Sequence, residues 1–286
     1  MIIRTIKNLV LITLVLTAST AYAETIDCTA ITSVPYKIIA KGVYCLTGNL
    51  SLNKIKGRAI FIAVNDVVLD LNGWTLKGTA GSATQAVGIK AYQRKNITIR
   101  NGTIRGFYIG INLTDISPFA TSQGHLVEGI YADRNTFAGL DIAGLDNTVQ
   151  HNRIIYTGKS SLATDHEAYG ISLTGNRARA IDNEINRTSS VGTSTSYGLF
   201  FYLALNALAT GNRVSVVYSE TGQTYGIFFD SSAGTMAVGN QISFISGGTA
   251  AGTGIKYDVS NGKYMNNLTF NVGTPYAGGT PVGVNN

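Results

Sequence analysis

Amphipathic stretches rich in Leu, Glu and Lys are missing from this chain, and their absence argues against a helical fold. Charge is scarce as well: Asp, Glu, Lys and Arg together make up 13% of the residues. Much of the exterior must therefore carry Asn, Ser, Thr and Tyr, a surface suited to hydroxyl-rich ligands. The formal net charge of +6 reads as a mild excess spread along the chain, with no Lys/Arg run. A nucleic-acid binder would show a basic stripe, so nucleic acid is not an expected partner. Three His and three Met without clustered ligands leave no expected metal centre, and no cofactor is expected either. Beyond the first residues, no stretch is long and apolar enough to span a bilayer.

The N-terminus stands apart. Arg4 and Lys7 precede a short apolar run from Leu9 to Leu16, and Ala21-Tyr22-Ala23 has the small-x-small pattern of a cleavage site. The pattern predicts a secretory signal peptide over residues 1–23 rather than a membrane anchor, which needs roughly 20 consecutive apolar residues. The mature protein is expected to be exported, to the periplasm or beyond, with no membrane insertion after cleavage. The two cysteines, Cys28 and Cys45, lie near the mature N-terminus. An exported chain with an even count favours a disulfide between them, and two Cys without neighbouring His make a poor zinc site.

What is present in abundance is a repeat. Tyr169-Gly170-Ile171, Tyr197-Gly198-Leu199, Tyr225-Gly226-Ile227 and Gly254-Ile255 place glycine every 28 residues, and Gly139, Gly110, Gly88 and Ala59 fill the same position upstream. A second marker, Asn followed two residues later by an apolar residue, recurs at Asn152, Asn183, Asn212 and Asn240; Asn267 continues the series, and Asn72 and Asn101 are expected to begin it. Between the markers lie short alternating runs such as Ala59-Ile60-Phe61-Ile62 and Asn96-Ile97-Thr98-Ile99, which read as strands. Antiparallel hairpins would not bring equivalent residues into register every 28 positions, whereas coils stacked in parallel would. Ile171, Leu199, Ile227 and Ile255 then form one inward ladder. Asn, which both donates and accepts, bonds its neighbours above and below at a turn. Coil surfaces carry five Asn-x-Ser/Thr triplets, which are by-products of this repeat.

With Asp66-Val67-Val68-Leu69-Asp70-Leu71-Asn72-Gly73-Trp74-Thr75-Leu76-Lys77-Gly78 and Asn96-Ile97-Thr98-Ile99-Arg100-Asn101-Gly102-Thr103-Ile104, the chain resembles the pectate-lyase-like β-helices. The resemblance implies an all-β fold, a single right-handed parallel β-helix of about eight coils. It covers residues 59–272, preceded by a disulfide-bearing cap over 24–58 and followed by a loosely ordered tail over 273–286. The family includes lyases, hydrolases, epimerases and non-catalytic members, so fold alone does not give function. The calcium-binding aspartate clusters of its pectate lyases and the paired aspartates of its polygalacturonases are not matched, and no catalytic residue is carried over.

Function is therefore read from the coil surface. Aligned on glycine, one outward row is Phe61, Lys90, Asn112, Asp141, Ser172, Phe200, Phe228 and Lys256, and the next is Ala63, Tyr92, Thr114, Ala143, Thr174, Tyr202, Asp230 and Asp258. Aromatic rings stack on sugar rings while amides and hydroxyls bond sugar hydroxyls. Tyr92, Asn112, Ser172, Phe200, Tyr202 and Phe228 are the candidate substrate contacts, with a structural aromatic stack as the competing reading. The loop 156–168 holds Asp165-His166-Glu167, the one place where His meets two carboxylates. Hung over Asp141, it would make Asp141, His166 and Glu167 an acid–base set, with Arg134 or Arg153 as the cation a lyase needs. The competing reading is a solvated charge cluster. The expected function is binding or processing of a polysaccharide, and the alternative is a non-catalytic surface, adhesion or scaffold module.

Overall fold

A repeat of three short strands has no interior of its own, so it buries its apolar side chains only by stacking on the next copy. A computed structural model describes residues 27–79, 81–248, 251–259 and 261–286, and in them the chain is a parallel β-solenoid, the β-helix expected. The signal segment expected at residues 1–23 lies outside the described residues. One strand of every coil joins a ten-stranded front sheet, running in chain order from Tyr36–Ile38 to Thr274–Ala277. The eight strands between these two, from Arg58–Ile62 to Thr253–Tyr257, are the eight coils. The remaining strands merge into an eighteen-stranded back sheet.

The glycine marker has a steric cause. A Cβ on Gly170 would stand 2.5 Å from the carbonyl oxygen of Gly198, and one on Gly198 or Gly226 would meet the next glycine's carbonyl at 2.7 or 2.6 Å. No real Cβ tolerates such contacts, so these coils must present glycine to the coil above. Beside this column the expected ladder of Ile171, Leu199, Ile227 and Ile255 is in register and fully buried. A neighbouring inward column runs Leu173, Phe201, Phe229, Tyr257. Its rings stack face to face at 4.7 and 4.8 Å, so the core changes from aliphatic to aromatic toward the C-terminal end.

The Asn ladder is equally direct. Asn152 Nδ2 donates to Asn183 Oδ1 at 3.0 Å, Asn183 to Asn212 at 2.9 Å, Asn212 to Asn240 at 3.0 Å and Asn240 to Asn267 at 2.9 Å. Each Oδ1 also accepts the backbone N–H of the Asn one coil before. Each Nδ2 reaches a backbone carbonyl as well, such as Ala180 for Asn212. The residue before each ladder Asn bends the chain with positive φ: His151, Asp182, Gly211, Gly239 and Asn266 lie between 50° and 65°. Asn72 and Asn101 do not begin this series. Strand register puts Gly102 opposite Ile130, whose N–H donates to Asn152 Oδ1, so the ladder starts at Asn152. Asn72 and Asn101 themselves take the bend, with φ of 49° and 58°.

A shorter ladder on another turn uses histidine in place of Asn. His125 Nδ1 accepts from Ile97 N at 3.2 Å, and His125 N donates to Asn147 Oδ1 at 2.9 Å. Because Nδ1 accepts, the proton sits on Nε2, which donates to Ser122 Oγ at 2.7 Å. Burial pushes this imidazole down to about 4, against the opposing pull of Asp115. Asp115 lies ten residues away in sequence and is brought near His125 by the fold.

Strand pairing continues at both ends of the solenoid. Within the cap, Thr29–Ile31 pairs with Tyr44–Leu46 and Tyr36–Ile38 with Ile60–Ile62, so the segment is a further coil closed by the Cys28–Cys45 disulfide. The tail expected to lack order instead forms Thr274–Ala277 and Thr280–Pro281, paired onto the last coil. Its Gly and Pro residues obscured the strand pattern, while Asn285 Oδ1 extends the ladder by accepting from Asn267 at 3.2 Å.

Asn212→Ala would leave the backbone N–H and one Nδ2 hydrogen of Asn183 without a partner inside the protein. Buried unmet donors cost about 1–3 kcal/mol each, so a loss of about 3 kcal/mol is expected in urea unfolding. Substitution of the exposed neighbour Arg213 by Ala should cost well under half of that.

Candidate functional site

The two outward rows stand in the register the glycine alignment predicts. Front-sheet pairing runs Phe61, Lys90, Asn112, Asp141, Ser172, Phe200, Phe228, Lys256 without a slip. Tyr92 pairs with Thr114, and Thr174 with Tyr202 and then Asp230. Loop 115–125 leaves one edge of this face, and loops 159–167, 190–195 and 220–223 stack along the other.

Asp141 is half-buried at the middle of the face. Its Oδ2 accepts from Asn112 Nδ2 at 2.7 Å, and Ser172 bonds it from the other side. Burial pushes its carboxyl above the usual range, and the bonds from Ser172 and Asn112 and the charge of Lys90 only partly offset this. Asn112 and Ser172 are thus buried supports of Asp141, not the exposed contacts expected of them. Their strand positions face outward, but Asp141 fills the space between them.

Loop 159–167 does reach this region, yet its three polar residues separate. Asp165 accepts from Thr193 N at 2.6 Å and Thr193 Oγ1 at 2.9 Å, which fastens the loop to the coil above. His166 Nε2 lies 3.3 Å from Tyr108 Oη, and its ring packs edge-on against Tyr108 and Phe137. Glu167 Oε2 accepts from Tyr169 Oη at 2.5 Å. The expected meeting of Asp141, His166 and Glu167 therefore forms only in part: among the described residues none of the three bonds another. Tyr169 bonds Glu167 and lies within the electrostatic reach of Asp141. Its phenol is pushed strongly upward, first by burial, then by the bond and charge of Glu167, with Tyr197 and Asp141 contributing. The group stays protonated and acts as a donor.

Tyr169 also begins an outer aromatic platform, separate from the core. It stacks on Tyr197 at 4.8 Å, Tyr197 packs on Phe200 at 4.7 Å, and Tyr225 on Phe228 at 4.7 Å. Phe200 and Tyr202 stack at 6.3 Å, with Tyr202 exposed and Phe200 half-buried. Phe228 is 8% exposed, covered by these rings and by Lys256 Nζ 4.9 Å from its centroid, so it supports the platform from beneath. Tyr92 is exposed but stands four coils from Tyr202, about 19 Å at the parallel strand spacing. Tyr169, Tyr197 and Lys90 were not singled out from sequence. The signal was there, since Tyr precedes the glycine marker in three consecutive coils, but it reads equally as a mere marker.

Arg134 and Arg153 are not beside Asp141. They belong to the back sheet, Arg134 paired with Asp133 at 2.9 Å and Arg153 with Glu184 at 3.2 Å. The positive excess is also not spread along the chain. Residues 27–105 carry eleven Lys and Arg against three Asp, and residues 106–286 carry nine against twelve Asp and Glu. In a solenoid, order in the sequence is order along the axis, so one end of the rod is strongly basic. There Lys54, Lys56, Arg58 and Lys90 line a depression of about 470 Å³ next to the Asn112–Asp141 coils.

No protein-family model matches the sequence, nor does any curated protein. Among solved structures the chain is similar to the A-module of the mannuronan C-5 epimerase AlgE4 of Azotobacter vinelandii. Identity is 10% over 90% of this chain and 87% of that one, with a TM-score of 0.45. The enzymatically active domain of tailspike protein 2 of bacteriophage CBA120 shares 13% identity over 81% of this chain and 42% of that one, with a TM-score of 0.46. An alginate lyase of a Paenibacillus species gives 12%, 82%, 91% and 0.39 in the same order. All are distant likenesses. The solenoid itself agrees with the resemblance to pectate-lyase-like β-helices carried by Asp66–Gly78 and its second copy.

A carboxyl held above its solution pKa favours folding at low pH, and that benefit is lost as pH rises through the folded-state value. Asp141→Asn should therefore raise the melting temperature at pH 8, and the gain should vanish at pH 3. Thermal unfolding of both forms at the two pH values measures this.

Proposed function

We propose that this chain is an exported protein that binds a carbohydrate polymer lengthwise on the front face and cleaves it at a centre built from Asp141, Tyr169 and Glu167. The observation that carries this reading is Tyr169, whose phenol donates to Glu167 and lies in the field of Asp141 at the edge of the aromatic platform. Two carboxyls in unequal surroundings, one enclosed and one exposed, are the means by which glycosidic cleavage separates an acid from its partner. Asp141, with its carboxyl pushed up, suits the acid that protonates the leaving oxygen. Glu167, exposed and hydrogen-bonded by Tyr169, suits the base or nucleophile. Phe200 and Tyr202 offer ring faces for neighbouring sugars. His166, turned toward Tyr108, positions the loop. Export rests on the signal pattern of residues 1–23 and on the Cys28–Cys45 disulfide, a bond of oxidising compartments.

A non-catalytic module is the second reading. Asn112 and Ser172 already occupy Asp141, and Tyr197, Tyr225 and Phe228 are largely covered, which also suits a stiff rod about 43 Å long.

Purified mature protein offered acidic and neutral polysaccharides tests the choice. Cleavage by hydrolysis releases reducing ends, which Asp141→Asn and Tyr169→Phe should each cut at least about 100-fold. Growth of ultraviolet absorbance from unsaturated products would replace hydrolysis by elimination. Silence on every polymer would favour the non-catalytic module.

A further inference from the structure

The back of the rod carries a groove that the front-face reading does not use. In or just past the back strands, one position in each of three coils takes left-handed backbone and carries an exposed side chain: Arg134 (φ 51°), Tyr156 (φ 54°) and Arg187 (φ 61°). The N–H of Arg134 donates to Ile155 O, and Thr157 pairs with Thr188, so these three residues lie on consecutive coils. The guanidinium carbons of Arg134 and Arg187 stand 5.4 and 5.0 Å from the centre of the Tyr156 ring, and Arg187 Nη1 donates to Tyr156 Oη at 2.9 Å.

This column joins two cavities of about 530 and 350 Å³ that share Tyr156, Gly158 and Lys159. The first extends to Lys77 and the second to Tyr218, across six coils. Charge along it is unbalanced. Lys77, Arg105, Arg134, Lys159 and Arg187 follow one another along it, against one buried carboxylate, Asp133, whose Oδ2 is shared by Arg105 at 3.0 Å and Arg134 at 2.9 Å. Glu220, just past the Tyr218 strand, is taken up by Gly192 N at 3.0 Å.

We infer that this groove is a second binding site, for a linear acidic glycan whose carboxylate or sulfate groups engage Lys159 and the two guanidiniums, Arg134 and Arg187, that Tyr156 holds in place, while a sugar ring lies on Tyr218. Guanidinium groups bond such anions through their planar fork, and exposed phenol rings stack on the apolar faces of sugars. The density of charge argues against nucleic acid. Six coils span about 24 Å at the parallel strand spacing, over which a DNA duplex presents about 14 charges. Five cations, one pair of which shares a carboxylate, match a sparser polymer. The inference does not rest on the Asp141–Tyr169–Glu167 centre, because the two sets of residues lie on different sheets.

Affinity electrophoresis of the mature protein tests it, with dextran sulfate, polygalacturonate, plain dextran and duplex DNA as probes. Dextran sulfate or polygalacturonate should retard the wild type, and the two arms tell which anion is preferred. The double variant Arg187→Ala/Lys159→Ala and the single variant Tyr156→Ala should each weaken retardation at least about 10-fold. These side chains are exposed, so an unchanged melting temperature should accompany the loss. Added salt should reduce retardation in the wild type far more than in the double variant. Wild-type retardation of the double variant would overturn the inference. So would equal retardation by plain dextran, stronger retention by DNA, or loss of retention in Tyr202→Ala, which would place the ligand on the front face.

Discussion

Coil-on-coil register is the constraint on which everything else in this molecule depends. Parallel strands stack at about 4.8 Å only if each coil presents the same backbone path to the next. Glycine at the column Gly170–Gly254 and the buried Asn ladder enforce that path, one by close approach and the other by hydrogen bonds. An amide at each rung meets both its own needs and those of the backbone above it, so the interior tolerates polar atoms at low cost. A single slip would move every outward row, and with it Asp141, Tyr169 and the aromatic platform.

Register also turns sequence order into geometry along the axis. The basic first coils, the acidic middle around Asp141 and Glu167, and the aromatic coils from Tyr197 to Phe228 are successive zones of one face. A polymer lying along it would meet them in that order. The back groove follows the same logic on another face, where one outward residue per coil builds the Arg134–Tyr156–Arg187 column.

Most of the fold was legible in the sequence because it follows from periodicity. The spacing of Gly170, Gly198, Gly226 and Gly254, the Asn series from Asn152, and both outward rows needed no information beyond the chain. The candidate site was legible only in outline. Asp141 and its neighbours followed from the rows, but whether Asn112 and Ser172 face a ligand or brace Asp141 depends on side-chain rotamers. The parting of Asp165, His166 and Glu167 depends on loop pairing through Thr193 and Val191, which no repeat encodes. Tyr169 was hidden in plain view as a period marker. The polarity of charge escaped because net charge averages over an axis that the fold keeps apart.

The central claim is that a sugar polymer is held on the front face beside Asp141 and Tyr169. A crystal structure of the Asp141→Asn variant soaked with an oligosaccharide tests it most directly, on a polymer that the wild type cleaves or binds. The account predicts sugar rings over Phe200 and Tyr202, with a glycosidic oxygen within hydrogen-bonding distance of position 141. Sugar density confined to the back groove or the rod ends, with the front face empty, would contradict it.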